Sequence, residues 1–269
     1  MELEITPTDD GSGLWFRLND ETWEKRLLYH ESRALEQARE RPAGARDLLG
    51  GLLDEELFAR LQAAPPGTPL ILRVGDGTPW DLIGLGHPSL AERFAVALTG
   101  PEPRFLAEPH AGTPTAVLLV QHESAGAIPA LPFPVAPLAE ATHDALTRRL
   151  FQEPVSVACL WTGRESLARW QNLVPDFAPS LVLVGSDARD WADCLLELGV
   201  RAVLGPRWGQ VDLGLASRVL DEMAGGVTLA EALRKGRDGC ASLALWGPPG
   251  LTLGDLRPLR ISPALTRNT

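Results

Sequence analysis

The second half of the chain alternates between short, continuously apolar runs and amphipathic segments. A continuous apolar run is typical of a strand buried on both faces, and apolar residues at three- and four-residue spacing are typical of a helix. This alternation constrains the fold most, because strands joined by helices build a mostly parallel sheet covered on both faces. The predicted strands are 115–121, 154–161, 180–185, 200–205 and 240–247, and the predicted helices are 137–150, 163–173, 188–199, 211–224 and 227–239.

The first half of the chain predicts a smaller α+β region. Two short strands flank a turn at Asp9–Gly13, and Asp20 is placed to begin a charged helix over 20–39. A second helical region over 46–63 and strands at 69–74 and 93–99 follow. A Pro- and Gly-rich stretch at 100–114 suggests a boundary, so we expect an N-terminal α+β region (1–110) packed on an α/β domain (111–269), together one compact unit.

Charge and composition exclude several classes of function. The 269 residues carry 35 acidic and 25 basic side chains, a net charge of −10, which disfavours nucleic-acid and anionic-membrane partners. No stretch is long and apolar enough to cross a bilayer. Three widely spaced cysteines give neither a disulfide framework nor a zinc pattern, so a reduced, cytoplasmic protein is expected.

No cofactor or metal site is predicted. The Gly-x-Gly at 84–86 is followed by Pro88, which removes an amide that a dinucleotide loop would need. The Gly-Pro-Pro-Gly at 247–250 lacks the lysine of a phosphate-binding loop. The five histidines show no metal-binding spacing.

Residues 181–247 resemble the C-terminal half of CHAT domains, the bacterial caspase-like peptidases. The order is a strand with a small-residue turn (LVLVGSD, 181–187), GVRAVLGPRWGQVD (199–212) and LAEALRKGRDG (229–239). Upstream, Pro-Trp-Asp-Leu-Ile at 79–83 is similar to the family's PWELL, and the likeness spans roughly residues 50–250. The resemblance implies a caspase-like three-layer α/β/α fold.

The departures from the family pattern indicate lost catalysis. The family's chemistry needs a nucleophilic cysteine and a histidine on the preceding strand. Asp187 stands at the cysteine position, and no HxxGHG segment exists, so a whole strand unit is expected to be missing. If the strand is instead aligned with the histidine strand, Asp187 replaces the histidine and the cysteine strand is lost. Both alignments predict a pseudo-peptidase without the dyad.

The resemblance further implies a protein-binding role. A regulatory or scaffold subunit in bacterial antiviral defence or regulated proteolysis would bind an active caspase-like subunit, a TPR protein or an NTPase or sensor protein. The expected cleft lies at the carboxyl ends of the strands. Its candidate residues are His122, Thr162, Gly185, Ser186, Asp187 and Trp208.

Three other interpretations stay open. Cys159 and His122 could form a relocated dyad in a cysteine peptidase. The same cleft could hold a small cationic ligand against Asp187, as in a sensor. Asp187 could instead only cap the helix over 188–198. Cys194, seven positions further on, is expected to face the core with a raised pKa.

Overall fold

The computed structural model describes residues 1–40, 45–74, 78–85, 88–120, 133–137, 142–161, 167–207, 209–211, 214–236 and 243–263. They form two compact units, one of Met1–Thr99 with Leu233–Ala241 and one of Gly100–Ala232 with Ser242–Thr269. The strands are β1 (Glu2–Pro7), β2 (Gly13–Leu18), β3 (Glu21–Arg26), β4 (Pro69–Val74), β5 (Ala95–Leu98), β6 (Phe105–Pro109), β7 (Ala116–Val120), β8 (Val135–Pro137), β9 (Val157–Trp161), β10 (Phe177–Ala178), β11 (Leu181–Val184), β12 (Ala202–Pro206), β13 (Leu243–Trp246) and β14 (Leu259–Pro263).

Several of the helices were predicted from apolar residues at three- and four-residue spacing. They are α1 (Tyr29–Glu40), α2 (Ala45–Gly50), α3 (Glu55–Ala63), α4 (Leu90–Arg93), α5 (His143–Phe151), α6 (Leu167–Trp170), α7 (Ala188–Glu197), α8 (Gly214–Ala224) and α9 (Leu229–Gly236). Short 3-10 turns lie at Trp80–Leu82 and Leu253–Asp255.

The first unit contains a sheet in the order β3-β2-β1-β4-β5. The β3–β2–β1 meander is antiparallel, and β4 joins β1 and β5 in parallel. Its core includes Leu3, Phe16 and Trp80, with the Phe16 and Trp80 rings edge to face at 6.0 Å.

The predicted helix over 20–39 is wrong for its first turns. Residues 21–26 form β3, because Asn19 takes a left-handed conformation (φ 53°) that turns the chain back onto β2. Trp23 then lies opposite Phe16, and this cross-strand pairing outweighs the helical preference of the charged residues. The helix itself begins only at Tyr29.

Two other predicted helices start or break elsewhere. The region over 46–63 divides into α2 and α3, because Asp54 caps a new helix by accepting a hydrogen bond from the Glu56 amide at 2.9 Å. The helix predicted from 137 begins at His143, where the Thr142 hydroxyl caps Ala145. Residues 138–141 lie outside the described part, as do residues 162–166, which include the start of the helix predicted over 163–173.

The second unit contains the mostly parallel sheet that the alternation predicts. Its order is β8-β7-β9-β11-β12-β13, parallel except for β13, which runs antiparallel to β12. Every residue of β9, β11, β12 and β13 is buried, as expected for strands covered on both faces. The expected mixed α/β class is confirmed, and the arrangement is consistent with a caspase-like three-layer α/β/α fold.

A tryptophan-centred cluster fixes the helices that follow the parallel strands. Trp170 on α6 is fully buried and meets Phe151 of α5 edge to face at 5.0 Å and Trp191 of α7 at 6.0 Å. Its indole N–H donates to the Thr147 hydroxyl at 2.8 Å, so the polar atom is satisfied inside the core. The cluster ties α5, α6 and α7 together behind the strand ends.

A second, three-stranded sheet in the order β10-β14-β6 also belongs to this unit. The sequence predicted a loop over 100–114, where β6 lies. The prediction of a loop is wrong at β6. The strand was not recognised because it is short and exposed and shows little of the apolar alternation that marks a half-buried strand.

Candidate functional site

The carboxyl ends of β9, β11 and β12 form one edge of the parallel sheet. The three strands are parallel neighbours, so the residues that follow them gather at this edge. Open α/β sheets bind their ligands there. We call Trp161, residues 185–187 and residues 209–211 the strand-end site.

Gly185 has a packing role in the strand-end site. It is buried, and a Cβ atom at this position would lie 2.5 Å from Cδ1 and 2.6 Å from Nε1 of Trp161. The Trp161 indole cannot easily withdraw, because its N–H donates to the Val211 carbonyl at 2.8 Å. Glycine is therefore required for the close approach of the indole to the end of β11.

The segment after β12 crosses the end of β11. The Val211 amide donates to the Gly185 carbonyl at 2.9 Å, and Ser186 forms an isolated antiparallel bridge with Gln210. Gly209 turns the chain with a φ of +75°, a conformation that glycine adopts without steric cost. The crossing segment fixes the backbone beside Ser186 and leaves that side chain half-buried.

Asp187 lies at the junction between β11 and α7. Its backbone is left-handed (φ 46°, ψ 47°), and its side chain is half-buried. Asp187 stands at the N-cap position as the capping interpretation expects, but its carboxylate makes no capping hydrogen bond to α7. A left-handed non-glycine residue costs about 1 kcal/mol, so packing on both sides must hold the junction.

Packing of α7 supplies that rigidity. The helix is amphipathic, and Ala188, Trp191, Ala192 and Leu195 are buried. Because Ala188 is buried immediately after Asp187, the helix start is fixed against the sheet and the Asp187 side chain emerges at a defined point of the strand-end site.

Cys159 is not suited to nucleophilic chemistry. It lies mid-strand on β9, between Leu118 of β7 and Leu183 of β11, with no exposed surface. Burial raises the pKa of its thiol to about 12. The alternative of a relocated Cys159–His122 dyad is therefore contradicted by the position of Cys159, because its sulfur has no surface that a substrate or solvent could reach.

Cys194 also stays protonated at neutral pH. It is half-buried on α7, and its Sγ lies 3.9 Å from the Leu167 carbonyl oxygen. Burial and the negative charge of Glu197 raise the pKa of its thiol to about 11. The expected raised pKa is confirmed.

Three of the six predicted site residues lie outside the described residues. They are His122, Thr162 and Trp208, and Cys240 lies outside as well. Of the predicted set, the structure brings Gly185, Ser186 and Asp187 together at one strand end.

Strand β9 precedes β11 in the chain and pairs with it in parallel from Val157 to Leu160. Both strands were predicted from the sequence, within 154–161 and 180–185, so neither is the strand unit expected to be missing. The loss of that further, histidine-bearing unit stays a prediction.

Trp161 was expected at this edge from its place at the end of a predicted strand, and it lies over Gly185. Sequence reasoning missed Arg207, which follows β12 with its Nε and Nη2 atoms buried. It could have been found from position alone, since it lies two residues after a predicted buried strand. Arg207 adds a cation to the edge that carries the Asp187 carboxylate.

Within the described ranges, no group of three or more His, Cys, Asp or Glu side chains could hold a metal ion. No helix of the part described here has the length and apolarity needed to cross a bilayer.

This chain was compared with protein-family models, curated proteins and solved structures. A scan against protein-family models gives no match, and a search of curated proteins gives none either. Among solved structures, this chain is similar to a chain in the crystal structure of the Saccharomyces cerevisiae separase–securin complex, with a TM-score of 0.44 and 14% sequence identity. The match covers 66% of this chain and 15% of that chain, so the chain spans a small part of its neighbour's length.

Proposed function

We propose that this chain is a catalytically inactive caspase-like domain of the CHAT type that acts by binding other proteins. The observation that carries the proposal is Asp187, a carboxylate at the junction of β11 and α7, where the family places its nucleophilic sulfur. The parallel order of β9, β11 and β12 supports the same alignment.

The chemistry of the described thiols supports inactivity. A thiol with a pKa of about 12, as at Cys159, is ionised in about one molecule in 10⁵ at pH 7. The thiolate is the nucleophile, so this population cannot sustain acyl transfer. Cys194, with a pKa of about 11, is only about tenfold better and lies on a helix flank instead of a strand end.

The strand-end site supports a binding role. Gly185, Trp161 and Val211 are fixed by mutual packing and hydrogen bonding, which gives a preorganised surface. Asp187 offers a carboxylate on that surface and favours a partner segment with a basic side chain. The partner is an active caspase-like subunit, a TPR protein or an NTPase or sensor protein, and the chain is its scaffold or regulatory subunit in bacterial defence or regulated proteolysis.

Photo-crosslinking tests the binding role. Benzoylphenylalanine replaces Arg189, which is exposed two residues beyond Asp187, and in the control it replaces Arg201, which is exposed at the opposite end of the parallel strands. The proposal expects one protein captured in host extract at position 189 and not at 201. The captured protein is then purified and titrated against wild type and Asp187→Lys.

Two results would count against the binding role. Equal capture at positions 189 and 201 would place the partner elsewhere. If the captured protein binds Asp187→Lys with the same affinity as wild type, Asp187 does not contact it. A purified small cationic compound that binds wild type but not Asp187→Lys, with no protein captured, would favour the sensor interpretation instead.

A further inference from the structure

Strand β6 is an exposed edge of the three-stranded sheet. It is the last strand of the order β10-β14-β6 and pairs only with β14 among the described strands. Four consecutive residues, 106–109, are exposed, and Leu106 is 58% exposed. An open strand edge with an exposed apolar side chain is a template for pairing with another strand.

The ladder to β14 shows which backbone groups of β6 point outward. The His110 amide donates to the Pro258 carbonyl at 2.7 Å, and the Ile261 amide donates away from β6 to the Asp176 carbonyl. The antiparallel register pairs Glu108 with Arg260 and Leu106 with Ser262, so these even-numbered residues bond inward. The amides and carbonyls of Phe105 and Ala107 therefore point to the open edge.

Prolines limit this edge on both sides. Pro109 ends β6 and Pro103 lies two residues before Phe105, and neither has an amide N–H. The open edge thus offers only the two donors of Phe105 and Ala107. A second β6 strand satisfies both donors most simply, because it offers two acceptors, the Phe105 and Ala107 carbonyls, at the same spacing.

We propose that β6 pairs antiparallel with β6 of a second copy of this chain, centred on Leu106. In that register Phe105 of each copy exchanges two hydrogen bonds with Ala107 of the other, so all four donors are used. Leu106 lies directly opposite its own equivalent in a non-hydrogen-bonded pair, where side chains approach most closely. The contact is isologous, as a two-fold dimer requires.

Charge complementarity selects this occupant and this register. Centring on Leu106 places Arg104 opposite Glu108 of the second copy, twice across the two-fold axis. Centring on Ala107 instead places Leu106 opposite Glu108, which pairs an apolar side chain with a charge. Within its own chain, the Arg104 guanidinium contacts the Gln171 carbonyl and Glu197.

Disulfide trapping tests the proposal on the full chain with Cys194 and Cys240 replaced by alanine. Leu106→Cys places two sulfurs opposite each other in a non-hydrogen-bonded pair, whose Cα separation of about 4.5 Å permits a disulfide. Val174→Cys is the control, because Val174 is 68% exposed in the same unit. In a glutathione redox buffer, Leu106→Cys is expected to form at least about tenfold more covalent dimer than Val174→Cys.

Sedimentation of proteins without added cysteine gives the second readout. Leu106→Glu brings two carboxylates together and is expected to weaken dimerisation of the wild type by at least about tenfold, whereas Val174→Glu leaves it unchanged. A monomeric wild type at all concentrations up to the solubility limit would overturn the proposal. Equal trapping of the two cysteine variants, or a dimer unaffected by Leu106→Glu, would overturn it as well.

Discussion

Replacing Gly185 with alanine tests the packing that shapes the strand-end site. The new methyl group would lie 2.5 Å from Cδ1 of Trp161, so the indole must move or the end of β11 must shift. Overpacking a core position costs about 1–3 kcal/mol, and losing the hydrogen bond from the indole to the Val211 carbonyl costs about 1 kcal/mol more. We expect a loss of about 2–4 kcal/mol in the free energy of unfolding.

Urea unfolding followed by tryptophan fluorescence measures this loss. The matched control is Gly112→Ala in the same unit, where a Cβ would meet only an ordinary contact at 3.8 Å. The control should fall within about 0.5 kcal/mol of wild type. In a Trp161→Leu background, Gly185→Ala should cost less than about 1 kcal/mol, because the clashing ring is gone. If the urea midpoint of Gly185→Ala equals that of Gly112→Ala, the proposed clash with Trp161 is refuted.

The remaining predictions concern Asp187, the cysteines and Glu31. Asp187→Gly should be about 1 kcal/mol more stable to urea than Asp187→Ala, because glycine adopts the left-handed backbone without the steric cost of a Cβ; equal stabilities would contradict the assigned conformation. Iodoacetamide should alkylate Cys194 slowly at pH 7 and faster as pH rises toward its pKa of about 11, and Cys159 should react only after unfolding; mass spectrometry of peptides from a pH series checks both. Burial opposes ionisation of Glu31, but the Leu28 amide at 2.7 Å and Lys25 at 3.0 Å outweigh it and hold the pKa of Glu31 below its ordinary value. The stabilisation by Glu31 is present above its unfolded-state pKa and is lost as pH falls through its folded-state pKa. The free energy of unfolding of Glu31→Gln should therefore fall less steeply than that of wild type below about pH 5. The control Glu36→Gln, at an exposed position, should follow wild type.

The parallel core could be predicted from the sequence because its strands are continuously apolar. β4 was predicted to its ends, β9 and β11 lie within the predicted runs, and β12 extends one residue past its predicted run. The antiparallel direction of β13 could not be predicted, because direction depends on how the intervening chain packs and not on the apolar run itself.

The local sequence misled the prediction where tertiary pairing decides the structure. Trp23 lies among charged residues that favour a helix, yet the hairpin turn at Asn19 places it in β3. β6 has no buried residue, so no apolar pattern marks it, and β14 was missed although its Leu259 and Ile261 alternate with exposed residues, because the strand is short. At the site, the position of Asp187 followed from the resemblance, whereas its left-handed backbone and the contact of Trp161 with Gly185 depend on chain segments far apart in sequence.

Peptide hydrolysis by the purified full chain tests the central claim most directly. Wild type, Asp187→Ala, Cys194→Ala and Cys240→Ala are incubated with a proteome-derived peptide library at pH 7.5, alone and with the captured partner, and cleavage is read by mass spectrometry. The account predicts that wild type alone yields no more cleavage than any variant. Cleavage by the wild type that one of these substitutions abolishes would contradict it.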